Sequence, residues 1–198
     1  MAMTRIRREV KVHALWDELG NIEPCKVFLD NTTFSIDHLL SVEKAASILT
    51  GGFGLCFCAR ITCADDNRSG VSNLYFERMP GQQDGVVLDE ENDSTPSQLW
   101  HYFDSNGDRQ NVKVLAEWSS TGAVRPLIMW IGHHAFHVKT GMCERCASRK
   151  DGGEGIRYVC TITNREQFVN RKPFVLYFDK CQQPEVWFVE AKERVSQP

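Results

Sequence analysis

Two cysteines of this 198-residue chain, Cys143 and Cys146, have the spacing of metal ligands. Two thiolates in a C-x-x-C arrangement can bind one tetrahedral zinc ion, and a structural zinc site uses four ligands. Cys160 and His137 are the candidates for the remaining positions. The sequence contains no second C-x-x-C pair. A structural zinc site is therefore one interpretation, a redox pair is a second, and buried or incidental thiols are a third that requires no cofactor.

A cysteine and a histidine could also act as the nucleophile and base of a thiol or hydrolytic enzyme. Cys58 or Cys160 would then work with His13, His38 or His137. None of these pairs recurs in the internal repeat described next. The sequence therefore favours a non-enzymatic protein, and an enzyme with a site between two domains is an alternative.

The chain aligns with itself at a shift of 102 residues, which becomes 101 after a one-residue gap. The matched positions are Val10-Lys11-Val12 with Val112-Lys113-Val114, Ala14 with Ala116, Trp16 with Trp118, Gly20 with Gly122, Pro24 with Pro126, and Phe34 with Phe136. We interpret this repeat as a tandem duplication. It predicts two domains, residues 1–104 and residues 105–198.

The repeat also weakens the metal interpretation, because no cysteine is matched by a cysteine. Val42 and Ala45 stand where Cys143 and Cys146 stand in the second copy. A domain that folds without metal in one copy does not require it in the other. With no secretory signal in the sequence, we expect reduced thiols and a cytoplasmic protein.

Alternating apolar and polar residues predict six short strands in each copy. The predicted strands are 10–16, 24–29, 33–38, 55–63, 73–77 and 99–103, and then 112–118, 126–131, 135–140, 156–163, 174–179 and 186–190. This pattern indicates a mainly β protein of two tandem antiparallel β-barrel or sandwich-like domains, with at most one short helix each. Leu39 to Leu49 is either that helix or an irregular strand end. Gly20 and Gly122 are expected at positive φ in turns.

The two copies differ most between their fifth and sixth strands. Phe76 and Trp100 are 24 positions apart, whereas Phe178 and Trp187 are 9 apart. The additional residues fall within 79–98, a stretch rich in Asp, Glu, Gly, Ser and Pro that predicts an acidic loop. The basic start of the chain is expected to be a solvated terminus.

Aromatic side chains recur in both copies and suggest what the protein could bind. Most of them are expected in the core, including Trp16 and Trp118. Some, among them the matched Phe28 and Trp130, could form a stacking platform for single-stranded nucleic acid. A net charge of -3 argues against general electrostatic capture of nucleic acid. No apolar run is long enough for a membrane helix.

Several segments together resemble a group of short, single-copy bacterial proteins of unknown function. They are 10–24, 34–37, 45–47, 51–52, 130–132, 155–158 and 187–190. More distant β domains of this kind are often encoded beside a translesion DNA polymerase, so the resemblance implies a nucleic-acid context.

These features together predict a binding or interaction module rather than an enzyme. Its partner would be a protein or single-stranded nucleic acid. We expect the two domains to pack as a pseudo-two-fold pair, because a duplicated chain can imitate the homodimer of a single-copy ancestor.

Overall fold

Fourteen β-strands make up the regular structure of the chain, which we describe from a computed structural model over residues 3–44, 53–78, 100–103, 106, 109–147, 154–163, 173–180 and 185–194. The strands are β1 (Met3–Glu9), β2 (Lys11–Trp16), β3 (Ile22–Leu29), β4 (Thr32–Lys44), β5 (Phe53–Cys63), β6 (Ser69–Arg78), β7 (Trp100–Phe103), β8 (Arg109–Asn111), β9 (Lys113–Trp118), β10 (Val124–Ile131), β11 (His134–Ala147), β12 (Glu154–Ile162), β13 (Phe174–Lys180) and β14 (Glu185–Arg194). Within these ranges there is no helix, so the prediction of a mainly β protein is confirmed.

All of these strands belong to one antiparallel sheet. Its order is β1-β14-β6-β5-β4-β3-β2-β9-β10-β11-β12-β13-β7-β8. Described residues of β1 and β8 form no ladder with each other, so the sheet is not closed. Two separate barrel or sandwich-like domains are therefore not confirmed, because the pairing of β2 with β9 joins both halves of the chain.

The β2–β9 pair lies at the centre of the sheet and is symmetric about one residue pair. Ala14 faces Ala116, and on either side of them Val12 faces Trp118 and Trp16 faces Val114. Both strands alternate between half-buried and buried residues in the same phase. A shift of 102 residues therefore exchanges one strand of this pair for the other.

Strands β7 and β14 lie on the opposite side of the centre from the strands that precede them in the sequence, β6 and β13. Strand β14 pairs with β6, with Trp187 facing Phe76. Strand β7 pairs with β13, with Trp100 facing Phe178. Each half of the sheet therefore contains one strand that comes from the other half of the sequence.

The basic N-terminal segment is a paired strand rather than a loose terminus, and the side chains before Arg8 lie outside the described part of the chain. Strand β1 pairs with β14 along seven residues. Only Val10 separates β1 from β2, and only Val112 separates β8 from β9; both valines are buried. A strand that pairs satisfies backbone groups that β14 would otherwise leave open on that edge.

The core lies on the inner face of the sheet and is shared by both halves of the sequence. Trp16 and Trp118 stack with ring centroids 5.5 Å apart. Phe178 meets Trp16 edge-on at 6.0 Å, and Phe76 meets Trp118 edge-on at 5.2 Å. Most of the buried residues form a single cluster with members from both halves of the sequence, so the two halves are held together by apolar packing as well as by the β2–β9 ladder.

In each half of the chain, the strand that follows the glycine turn begins earlier than predicted. Strands β3 and β10 start two residues before Pro24 and Pro126, and the register slips beside each proline. A β-bulge accommodates a proline, since the ladder is already interrupted where its N–H is missing. The predicted turn glycines are confirmed, with φ of 86° at Gly20 and 80° at Gly122.

The ambiguous segment continues β4 as an irregular strand as far as Lys44, with two register shifts against β5. The helical alternative is wrong for residues 39–44, and residues 45–49 lie outside the described ranges. The matching strand β11 has one such shift, between Thr140 and Met142. The acidic segment 79–98 also lies outside the described ranges. Among the described residues, no helix is long and apolar enough to cross a membrane.

Candidate functional site

The cysteine candidates for a zinc site lie on the neighbouring strands β11 and β12. Cys143 is exposed and Cys160 is buried. Cys143 faces Tyr158 and Cys146 faces Gly155 across the β11–β12 ladder. The side chain of Cys146 lies outside the described part of the chain.

His137 is exposed on the same strand, six residues before Cys143. Six residues of extended strand span about 20 Å, which is too far for one zinc ion to bind both side chains. In the described residues no group of three or more His, Cys, Asp or Glu side chains is arranged to hold a metal ion. Zinc at Cys143 and Cys146 stays a prediction.

Cys160 is poorly suited to be a nucleophile. Burial raises the pKa of its thiol to about 11. A catalytic cysteine needs a lowered pKa, because the thiolate is the reactive form. The burial and raised pKa of Cys160 therefore give no support to a thiol enzyme that uses this residue.

Polar and aromatic groups gather on one surface of the four central strands β3, β2, β9 and β10, the surface turned away from the core. We call this surface the outer face. On β2 and β9 the buried residues alternate with half-buried ones, so Lys11, His13 and Leu15 point away from the core, as do Lys113, Leu115 and Glu117. The ladders place Lys26 and Phe28 beside β2 and Arg125 and Trp130 beside β9 on this same face. The outer face therefore extends across both halves of the sequence.

Glu117 is the centre of a polar network on the outer face. Its Oε2 lies 3.2 Å from Nε2 of His13, which donates a hydrogen bond, and 3.3 Å from Nζ of Lys11. Its Oε1 accepts a 2.9 Å hydrogen bond from Nη2 of Arg125. Three strands, β2, β9 and β10, therefore each contribute to the network, and the single carboxylate fixes the cations around it.

The pKa values of the two central groups of this network are both lowered, but for different reasons. Burial lowers the pKa of His13, although the hydrogen bond and charge of Glu117 act against it. Burial would raise the pKa of Glu117, but hydrogen bonds from His13 and Lys11 and the charge of Arg125 outweigh it and the pKa is lowered. At neutral pH the network thus contains a neutral imidazole and an ionised carboxylate.

Two aromatic rings on the outer face each lie beneath a lysine. The ammonium of Lys11 is 4.3 Å from the ring centroid of Phe28. The ammonium of Lys113 is 5.5 Å from the ring centroid of Trp130. These distances are those of cation–π contacts. Both rings are only half-buried, so part of each remains open to solvent.

The outer face is positively charged although the chain as a whole is not. On its four strands, Lys11, Lys26, Lys113 and Arg125 are opposed by two glutamates, Glu23 and Glu117. The whole chain has a net charge of -3. Positive charge is therefore concentrated on the face that holds the two half-buried rings, which is an arrangement suited to an anionic ligand with aromatic groups.

Part of this site is visible in the internal repeat. The repeat matched Phe28 with Trp130 and Lys11 with Lys113, which are the two ring–lysine pairs. It did not indicate the contact of His13 with Glu117, because 104 residues separate them and only the pairing of β2 with β9 brings them together. The network also lacks a copy in the repeat, since Leu115 and Leu15 occupy the matching positions.

Comparison of the chain with known proteins finds no matching family model, no similar curated protein and no similar solved structure.

Proposed function

We propose that the protein is a cytoplasmic, non-enzymatic binding module whose outer face binds single-stranded nucleic acid. The observation that supports this most directly is the pair of half-buried rings, Phe28 and Trp130, each beside a lysine on one positively charged face. Bases stack on such rings while cations contact the phosphates. Sheet faces with solvent-exposed aromatic residues bind unpaired bases in this way.

A single strand fits this face better than a duplex does. Bases in a duplex are already stacked on one another, and reading them requires an element that enters a groove. The outer face is instead the surface of a sheet, and its central strands present side chains such as Leu15 and Leu115 rather than a protruding element. Unstacked bases can reach the rings of Phe28 and Trp130.

We also propose that the chain is a duplicated domain paired about a pseudo-two-fold axis. The symmetric register about Ala14 and Ala116 and the reciprocal pairing of β7 and β14 support this proposal. Each half would be a ring of six strands in which β1 and β2, bent at Val10, act as one strand. The outer face would then be the surface formed where two such units meet.

Fluorescence anisotropy with a labelled oligothymidylate tests the proposed function. Binding should be measurable at low salt, and log Kobs should fall with log salt concentration with a slope near about -3, if four cations each release about 0.7 counterions. Lys11→Ala combined with Lys113→Ala should weaken binding at least about tenfold. Arg68→Ala is the matched control, because this exposed arginine pairs with Asp66 in the turn between β5 and β6, outside the four strands of the outer face. No binding at about 20 mM salt would exclude the proposal, since phosphate contacts are strongest there.

A further inference from the structure

The two ring–lysine pairs occupy matching places on either side of the sheet centre. Lys11 faces Phe28 across β2 and β3, and Lys113 faces Trp130 across β9 and β10. Lys11 is three residues before Ala14, and Lys113 is three residues before Ala116. Because β2 and β9 run antiparallel with the two alanines opposite each other, the pairs lie in opposite directions from the centre.

Strand geometry fixes the separation of the two pairs. From β3 to β10 there are three inter-strand steps, or about 14 Å at ~4.8 Å each. Along the strand direction the pairs are offset by six residues, or about 20 Å at ~3.3 Å each. The two rings therefore lie on a diagonal of about 25 Å across the outer face.

Between the two pairs, the face carries no uncompensated negative charge on β2 or β9. Glu117, the acidic residue of these central strands, accepts contacts from His13, Lys11 and Arg125. Leu15 and Leu115 face each other beside it and are half-buried. A polyanion that follows the diagonal thus passes over an ion-paired carboxylate and an apolar pair rather than over a free anion.

We propose that one nucleic-acid strand runs along this diagonal and stacks a base on Phe28 and another on Trp130 at the same time. This inference rests on the proposed function, and it adds that the two halves of the chain form one continuous site rather than two independent ones. Once a base occupies the first ring, the rest of the strand is held at a high effective concentration near the second. The ligand class is a single strand long enough to span both rings.

A length series distinguishes one continuous site from two separate ones. Oligothymidylates of about 3, 6, 9 and 12 nucleotides cover the short end of known single-strand site sizes. Affinity should be low for the shortest and rise by at least about tenfold over a narrow range of length, once the strand spans the diagonal. The stoichiometry should be one long oligonucleotide per chain.

Ring variants complete the test. Phe28→Ala and Trp130→Ala should each remove most of the gain in affinity with oligonucleotide length. The double variant should lose little more affinity than either single variant, because the loss of one ring already prevents the strand from bridging both. Trp130→Phe, which places at 130 the residue type found at 28, should retain the gain. Val71→Ala, an exposed apolar position on β6, is the matched control. Circular dichroism of each variant verifies that the sheet is intact.

The outcomes separate the two proposals. If no oligonucleotide binds, the proposed function fails and this inference fails with it. If long and short oligonucleotides bind with affinities that differ only in proportion to their length, or if two long oligonucleotides bind per chain, the continuous site is wrong while the proposed function stands. Additive effects of Phe28→Ala and Trp130→Ala would also overturn it.

Discussion

At the scale of residues, some matched positions of the repeat hold side chains that support the core, and others hold side chains on the outer face. Phe57 and Tyr158 correspond in sequence and are both buried. Only Tyr158 has a hydroxyl, and it donates a 2.7 Å hydrogen bond to the carbonyl oxygen of Val124. The sequence predicts that most of the matched aromatic residues lie in the core, but the carbonyl is 34 residues away and no local pattern indicates it.

Tyr158→Phe should lower the free energy of unfolding by about 1 kcal/mol, since a buried hydrogen bond contributes about that much and the carbonyl loses a partner. The ring itself continues to fill its place. Equilibrium urea unfolding measures the difference. A change as large as about 3 kcal/mol would instead indicate lost packing, which the substitution should not cause.

His13 makes stability depend on pH. Its pKa is lowered in the folded protein from an ordinary value of 6.5, mainly by burial and despite Glu117. The unfolded chain therefore binds the proton more readily, so the contribution of His13 is complete above pH 6.5 and is lost as the pH falls towards the folded-state pKa. Lys11 and Lys26 add to this, because their charges disfavour the imidazolium.

His13→Leu is the natural test of this dependence, because leucine occupies the matching position 115. Unfolding free energies of the wild type and variant should be compared between pH 7.5 and pH 5. The wild type should lose more stability than the variant over this interval. Parallel curves would show that His13 does not titrate differently in the folded and unfolded states.

At the scale of elements, local patterns predicted strands wherever one face of the sheet is buried. The alternating segments of β2 and β9 were located to within one residue, since period-two burial is a local property. The sequence does not predict β1, because this strand exists by pairing with β14, which is distant in sequence. It does not predict β8 either, because the three residues of that strand are all exposed and show no period-two burial. The exchange of β7 and β14 likewise depends on tertiary pairing and has no signature in either strand.

The acidic segment between β6 and β7 should be dispensable for folding. Strand β7 begins 22 positions after β6 ends, whereas β14 begins 5 positions after β13 ends, and both connections join strands on opposite sides of the centre. Replacing residues 79–98 by a linker of about four residues should leave the fold intact and stabilise it by about 1 kcal/mol, from the smaller entropy of loop closure. Thermal unfolding followed by circular dichroism measures this. Loss of the cooperative transition would mean that the segment contributes to the fold.

At the scale of the whole molecule, the two halves of the sequence are interdependent. The first half supplies Phe76 to Trp118 and the second supplies Phe178 to Trp16. Each half of the sequence also supplies one strand to the side of the sheet that the other half forms. The self-alignment predicted that the halves would pair, but it could not show that they exchange strands, because the repeat is equally compatible with two separate domains.

Residues 1–104, produced without the second half, should therefore not fold as a monomer. Its β6 would lack β14, and its Trp16 would lose both Trp118 and Phe178. The symmetric register leaves one route to a folded state: a second copy can pair β2 with β2 about Ala14 and supply its own β7 in place of β14. Analytical ultracentrifugation with unfolding at several concentrations should thus find either an unfolded chain or a dimer whose midpoint rises with concentration. A folded monomer of residues 1–104 would contradict the strand exchange. Adding a second fragment, residues 105–198, should restore the full sheet, and the association of the two fragments should depend on their concentration.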